Sequence, residues 1–125
     1  MLQANKQTYH PLVSIITVNY NNTAVTCELL ASLQQISYPR FEVIVVDNSG
    51  NNAAHNMGVT AGNIRVIGNS HNAGFGGAIN QGWRESQSQF VATLNDDAVA
   101  EPGWLEALVQ AASRDPEIGL LAPQV

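Results

Sequence analysis

The sequence predicts an α/β protein with a doubly wound, mostly parallel sheet flanked by helices. Runs of β-branched residues alternate with helical patterns, and the segments between them are long enough to cross over to a parallel strand. The run FEVIVVD at 41–47 is apolar almost throughout, as is typical of a strand covered on both faces. We therefore expect a ligand crevice at the carboxyl ends of the strands, where such sheets bind ligands.

The first half of the chain predicts two strands joined by a helix. Residues 1–10 are polar and aperiodic, and we expect them to be a disordered lead-in. Residues 13–21 (VSIITVNYN) are rich in β-branched residues and predict a buried strand. Apolar residues recur every three or four positions from 23 to 36, which predicts an amphipathic helix before the second strand at 41–47.

The second half continues the alternation of strands and helices. The predicted elements are, in order, a short helix at 53–60, a strand at 63–68, a helix at 78–86, a strand at 90–95, a helix at 103–113 and a strand that begins at 118. Pro102 is placed where the last helix begins, in keeping with the preference of proline for helix starts. Trp83, Trp104 and Cys27 are predicted to be core residues.

Composition excludes several classes of function. The chain has 125 residues, a size that suits one domain, and its net charge of −5 argues against a nucleic-acid partner. No apolar run approaches the roughly 20 residues of a membrane span, and the first residues lack the apolar core of a signal peptide. A single cysteine, Cys27, allows no internal disulfide, so we expect a cytoplasmic location.

Polar residues follow three of the predicted strands and are expected to converge on the crevice. They are Asn19, Tyr20 and Asn21 after the first strand, Asp47 and Asn48 after the second, and Asn95, Asp96 and Asp97 after the fourth. Two adjacent acids after a buried strand repel each other unless they are solvated, capped or neutralised by a cation, and Mg²⁺ or Mn²⁺ suits such oxygen ligands. The alternative is a turn in which an aspartate caps a helix or carries surface charge.

A glycine-rich run lies between the third strand and the next helix. NAGFGGAINQG places Gly74, Gly76 and Gly77 close together, so its backbone could approach an anion near a helix start, although a tight loop is the simpler alternative. The fingerprints of two phosphate-binding folds are absent. NYNNTA after the first strand has no glycine, and the only lysine, Lys6, belongs to no P-loop pattern.

Four segments together resemble the amino-terminal half of glycosyltransferase family 2. They are PLVSIITVNYNN, FEVIVVDNSG, NAGFGGAINQGW and FVATLNDDAVAEPGWLEALV, in this order and spacing. The resemblance covers residues 11–125 and implies an incomplete GT-A fold, a Rossmann-like sheet that binds a nucleotide-diphosphate sugar. It also implies Mg²⁺ or Mn²⁺ as cofactor and transfer with inversion to a glycan or lipid-linked acceptor in cell-surface polysaccharide synthesis.

The resemblance implies a role for individual residues. The residues from Val18 to Tyr20 would line the base pocket, Tyr20 by stacking, and Asp47 would hydrogen-bond the base or ribose. The loop from Asn72 to Gly77 would pass beside the diphosphate. The acidic motif of the family falls on residues 95–97: Asp97 would bind the metal together with Asn95, which replaces the first acid, and Asp96 would face the ribose or sugar.

Other features of the resemblance concern the donor and the rest of the protein. The NAGFGGA loop is similar to that of members that transfer rhamnose or galactofuranose, which implies a UDP-sugar or dTDP-sugar donor. The acceptor pocket and the general base of the family lie in a second half of the domain. The base is therefore expected beyond Val125, and the chain is expected to be truncated. The full-length protein is expected to be able to associate peripherally with the inner face of the membrane. The alternatives are a nucleotide-binding or assembly module without catalysis and, less well supported, a nucleotidyltransferase, whose usual glycine-rich basic loop is absent.

Overall fold

The computed structural model describes residues 10–50 and 62–115. These residues form four strands and three helices, in the order β1 (Val13–Asn19), α1 (Thr23–Leu33), β2 (Phe41–Asp47), β3 (Ile64–Gly68), α2 (Phe75–Glu85), β4 (Phe90–Thr93) and α3 (Trp104–Arg114). Within these ranges no helix is long and apolar enough to cross a membrane. The segments predicted as a disordered lead-in, as a short helix at 53–60 and as a strand from 118 lie outside the described residues, apart from residue 10.

The four strands form one parallel sheet in the order β3-β2-β1-β4. β1 pairs with β2 along its whole length, from Val13 opposite Phe41 to Asn19 opposite Asp47. The chain moves outward from β1 to β3 and then returns to place β4 on the other side of β1. The boundary between β1 and β4 is therefore a topological switch point, the place where open α/β sheets bind ligands.

The two faces of the sheet bury different helices. On one face α1 and α3 cover Ile15, Val43 and Val45 of the central strands. On the other face Ala78 of α2 packs with alternate residues of the same strands, among them Ile16. Since successive side chains of a strand point to opposite faces, this division accounts for the unbroken apolar sequence of β2 and confirms the doubly wound prediction.

The predicted elements that fall within the described residues are confirmed, most of them with shifts at their ends. α1 ends at Leu33 rather than at Ile36, because the backbone N–H groups that follow bond to carbonyls three residues back and tighten the last turn. α2 begins at Phe75, three residues earlier than expected from its glycines. β1 and β4 each end two residues earlier than predicted.

The tryptophan prediction was wrong for one of the two residues. Trp104 is partly buried against the core formed by α1 and α3, as expected. Trp83 on α2 is 61% exposed, because the side of α2 that meets the sheet is made by Ala78 and Gly82. Cys27, the other predicted core residue, is only partly buried.

Candidate functional site

The loops after β1 and β4 meet at the switch point. Asn22, the last residue before α1, donates a hydrogen bond from Nδ2 to Oδ2 of Asp96, at 3.1 Å. The two residues are 74 positions apart in the chain and come together because β4 lies beside β1. The carboxyl end of β1 and the acidic segment after β4 therefore form one side of the predicted crevice.

Asn19, at the end of β1, is the centre of the polar network below this crevice. It is fully buried, and its side-chain oxygen accepts hydrogen bonds from Thr26 Oγ1 at 2.9 Å and from the backbone N–H of Asn22 at 3.3 Å. Its Nδ2 donates to Asp47 Oδ1 at 3.1 Å, with a longer contact to Thr23 Oγ1 at 3.3 Å. One buried amide thus joins the ends of β1 and β2 to the start of α1.

Asp47, the last residue of β2, is almost fully buried. Its side chain is only 1% exposed, and Oδ1 accepts hydrogen bonds from Asn19 Nδ2 and from the backbone N–H of Ser49 at 3.1 Å. The backbone repeats this connection, because the N–H of Asn48 donates to the carbonyl of Asn19 at 2.8 Å. A ligand that reached this carboxylate would meet a group whose orientation is already fixed.

The segment after β1 has an unusual backbone. Asn21 has φ of 52°, in the left-handed region that only glycine, asparagine and aspartate adopt readily. Its N–H donates to Ser49 Oγ at 2.8 Å, so the turn after β2 holds this conformation. The neighbouring Tyr20 is 53% exposed, and its ring is available for stacking on a planar ligand.

Asn48 fixes the glycine-rich segment against the end of β2. It is 2% exposed, and its Nδ2 donates to the carbonyl of Gly74 at 3.1 Å. Its Oδ1 accepts from the N–H of Ala73 at 3.2 Å and from Asn69 Nδ2 at 2.9 Å. Asn69 in turn exchanges two hydrogen bonds with Gln81 on α2, at 2.8 and 2.9 Å.

The same segment forms the amino-terminal end of α2. Gly74 has φ of 80°, a conformation that favours glycine, and its N–H donates to Asn72 Oδ1 at 2.8 Å. No side chain of the described residues caps this helix. The first backbone N–H groups of a helix lack intrahelical acceptors, so those of Phe75 to Gly77, all of them exposed residues, are able to bind an anion.

The acidic segment after β4 is a turn closed by a hydrogen bond of 3.1 Å from the N–H of Ala98 to the carbonyl of Asn95. Asn95 and Asp97 are exposed, whereas Asp96 is half-buried against Asn22. The part of the chain that the structure describes brings no three histidine, cysteine or acidic side chains together as a metal-binding group. One carboxylate and one amide oxygen fit Mg²⁺ or Mn²⁺ when phosphate oxygens of a ligand complete the coordination.

The structure brings some of the predicted site residues together and separates others. Asp47 is linked to the Asn22–Asp96 pair through Asn19, and the loop that ends at Gly77 is joined to the end of β2 by Asn48. Val18 faces the α2 side and packs there with the smaller core, so its predicted contact with a base stays a prediction.

Four residues that hold the site together are not expected from the sequence, namely Asn22, Ser49, Asn69 and Gln81. Asn69 directly follows β3. It would have been found by the reasoning used for the other three strand ends. No signal in the sequence pairs Asn22 with Asp96, because that contact depends on the order of the strands.

Comparisons with known sequences give one family. The model of Glycosyl transferase family 2 matches residues 14–124. An uncharacterised glycosyltransferase of Haemophilus influenzae is 31% identical over 110 residues, which cover 88% of this chain and 37% of that protein. A second from the same organism is 26% identical over 112 residues, covering 86% of this chain and 35% of the relative. The chain thus spans little more than a third of the length of these curated relatives.

Comparisons with solved structures agree with the fold. The mannosyltransferase PcManGT from Pyrobaculum calidifontis, solved in complex with GDP-Man and Mn²⁺, superposes with a TM-score of 0.79 at 26% identity. The match covers 90% of this chain and 35% of that one. S. aureus TarS 1-349 in complex with UDP-GlcNAc gives a TM-score of 0.74 at 23% identity, over 90% of this chain and 37% of that solved chain, and supports the fold alone.

Proposed function

This chain belongs to Glycosyl transferase family 2 and has its GT-A fold, and on that premise we propose that it forms the donor-binding region of an inverting, metal-assisted glycosyltransferase. The observation that carries the proposal is the meeting of three polar segments at the switch point. The Asp47–Asn19–Asn22–Asp96 chain of hydrogen bonds joins the ends of β1, β2 and β4. Asn48 connects the start of α2 to the same region through its hydrogen bond to the carbonyl of Gly74.

The nucleoside of the donor would occupy the side of the crevice formed by β1 and β2. Tyr20, which is more than half exposed, offers a ring for stacking on the base. Asp47, held by Asn19 and the N–H of Ser49, would accept a hydrogen bond from the base or ribose, and Val18 would supply apolar contact. The fixed orientation of Asp47 reduces the entropy lost on binding.

The diphosphate would bind at the start of α2. Phe75 to Gly77 are exposed residues, and the N–H groups of this first turn together with the helix dipole favour negative charge at this point. Asn72 and Asn48 fix the backbone there through Gly74, so the N–H groups need little rearrangement when an anion binds.

The metal would be held by Asp97 with Asn95, and the diphosphate would supply further ligands. A bound Mg²⁺ or Mn²⁺ would offset the charge that develops on the leaving diphosphate. Asp96, placed by Asn22, would face the ribose or the sugar. The general base that deprotonates the acceptor hydroxyl, expected beyond Val125, belongs to the proposal for the whole protein.

The donor and acceptor are proposed at the level of chemical class. PcManGT was solved with GDP-Man and TarS with UDP-GlcNAc, so we include a purine nucleotide beside the UDP-sugar or dTDP-sugar suggested by the sequence. A glycan or lipid-linked acceptor, a rhamnose or galactofuranose donor, and a location at the inner face of the membrane stay predictions.

Isothermal titration calorimetry tests the proposal directly. UDP, dTDP and GDP are titrated into the chain with Mn²⁺ and with EDTA, and we expect at least one to bind more tightly with Mn²⁺. Replacing exposed Asp97 by asparagine should remove most of this metal-dependent gain and leave the melting temperature unchanged, since exposed substitutions have small effects on stability.

The matched control is Glu101→Gln, which removes the charge of another exposed acid beyond the proposed metal site. It should leave the binding of every nucleotide unchanged. Equal affinity in Mn²⁺ and EDTA would remove the metal from the proposal. Absence of binding by all three nucleotides would refute the donor-binding role itself.

A further inference from the structure

We propose that Asn22 is a positioning residue for the donor site: it orients Asp96 and so couples the end of β1 to the acidic segment after β4. The inference rests on the proposed function, in which Asp96 faces the ribose or sugar of the donor. Asn22 itself is not required to touch the ligand. Its effect is exerted through the hydrogen bond of 3.1 Å from Nδ2 to Asp96 Oδ2.

The first observation is that Asn22 does not perform the usual task of its position. It is the N-cap residue of α1, where an asparagine side chain normally accepts a hydrogen bond from a backbone N–H of the first turn. Here the side chain makes no such bond, and the first turn of α1 contains no acidic residue to compensate. The amide is directed to Asp96 instead, at the expense of the helix start.

The second observation is that the backbone of Asn22 is held on both sides. Its N–H donates to Asn19 Oδ1 at 3.3 Å, and its carbonyl accepts from the N–H of Thr26 at 2.9 Å. Asn19 is fully buried and bonded to Asp47. The amide that reaches Asp96 is therefore attached to a rigid support.

The third observation is the contrast between this support and the segment that it holds. Asp96 lies between Asn95 and Asp97, both exposed, in a turn closed by a single backbone hydrogen bond. The terminal torsion of an aspartate is broad, so a carboxylate in such a turn samples many orientations unless a partner fixes it. Asn22 fixes one oxygen of Asp96 without adding a positive charge that would compete with a cation nearby.

Substitution by serine separates positioning from helix capping. Serine is as good an N-cap residue as asparagine but is too short to reach Asp96. We expect Asn22→Ser to keep or raise the melting temperature and to weaken Mn²⁺-dependent binding of the tightest nucleotide about threefold to tenfold, the range for one hydrogen bond. Asn63→Ser is the matched control, because Asn63 also makes an inter-residue amide contact, 3.4 Å to Gln34, but precedes β3 at the other end of the sheet.

A double-mutant cycle with Asp96→Ala identifies the path of the effect. If Asn22 acts through Asp96, Asn22→Ser weakens binding less than about twofold once Asp96 is alanine, because the interacting partner is gone. An equal loss in both backgrounds would overturn the inference, and so would unchanged binding by Asn22→Ser alone. If the unsubstituted chain binds none of the three nucleotides, the proposed function has failed as well, so the two failures are distinguishable.

Discussion

At the scale of single residues, two buried amides, those of Asn19 and Asn48, hold together the loops of the proposed donor site. Asn19 uses both its oxygen and its nitrogen, and its partners come from β2, from the residue before α1 and from α1 itself. Asn48 does the same for the start of α2. Both are almost fully buried, so each lost hydrogen bond would leave a polar group without water to replace the partner.

Asn19→Ala should lower the free energy of unfolding by about 1–3 kcal/mol, the cost of leaving buried partners such as Thr26 Oγ1 and the Asp47 carboxylate less well satisfied. Urea unfolding followed by circular dichroism measures the change. Asn63→Ala, at a partly exposed position, should change stability by less than about 0.5 kcal/mol. Equal effects of the two variants would show that the Asn19 network contributes little stability.

At the scale of elements, α2 uses its glycines for two different purposes. A Cβ added at Gly82 would lie 2.8 Å from Cγ2 of Ile16 on β1, so this glycine allows close approach of helix and sheet. A Cβ added at Gly76 would meet no atom within 4 Å. The first glycine serves packing, whereas the second lies in the exposed first turn where we propose that the diphosphate binds.

Alanine substitutions on α2 should therefore have opposite effects on stability. In Gly82→Ala, the higher helix propensity of alanine should add about 1 kcal/mol to the free energy of unfolding. The clash of the new methyl group with the sheet should cost about 1–3 kcal/mol, so we expect a net loss of stability. Gly76→Ala has the same propensity gain without the clash and should unfold at an equal or higher temperature. Thermal denaturation of the two proteins checks the pair, and a stabilised Gly82→Ala would contradict the packing.

Nucleotide binding by the same two variants distinguishes the packing role of Gly82 from the proposed ligand-binding role of Gly76. Gly76→Ala should weaken diphosphate binding, because its methyl group occupies the space beside the first N–H groups of α2. Gly82→Ala, on the side of α2 that meets the sheet, should bind with the affinity of the unsubstituted chain under conditions where it is folded.

At the scale of the whole molecule, one sheet separates two cores. Ile15 and Ile16 are adjacent in sequence and both fully buried, but Ile15 packs with α1 and α3 whereas Ile16 packs with α2. Ile15 is also directly opposite Val43 on β2, in the same core. Two substitutions should therefore be energetically coupled when their side chains lie on the same face of the sheet, and not because they are close in sequence.

Ile15→Val and Ile16→Val should each cost about 0.5–1.5 kcal/mol of unfolding free energy. Their double mutant should lose the sum to within about 0.5 kcal/mol, because the two side chains share no core. Ile15→Val combined with Val43→Ala should depart from additivity, since those side chains are neighbours in one core. Chemical denaturation of the six proteins, including the unsubstituted chain, measures both cycles, and a clearly non-additive Ile15–Ile16 pair would contradict two separate cores.

The sequence by itself determined the features that depend on near neighbours in the chain. The apolar run of β2 required a strand covered on both sides, and its predicted bounds, 41–47, are the observed ones. The polar residues after β1, β2 and β4 are predicted to lie at one edge of the sheet, because parallel strands present their carboxyl ends there, and hydrogen bonds do link these three strand ends. The glycine-rich segment was placed beside a helix start, although the helix itself begins three residues earlier than its glycines suggested.

Only the tertiary structure decided which of these segments meet and which side chains hold them. The hydrogen bond between Asn22 and Asp96 depends on β4 lying beside β1, and local patterns contain no information on strand order. The start of α2 depends on Asn48, whose side chain fixes Gly74 from another element. Trp83 is exposed because Gly82, rather than the larger neighbour, provides the close contact with the sheet. In each case the arrangement is stabilised by a contact between groups that are distant in sequence. Such a contact exists only once the sheet has formed.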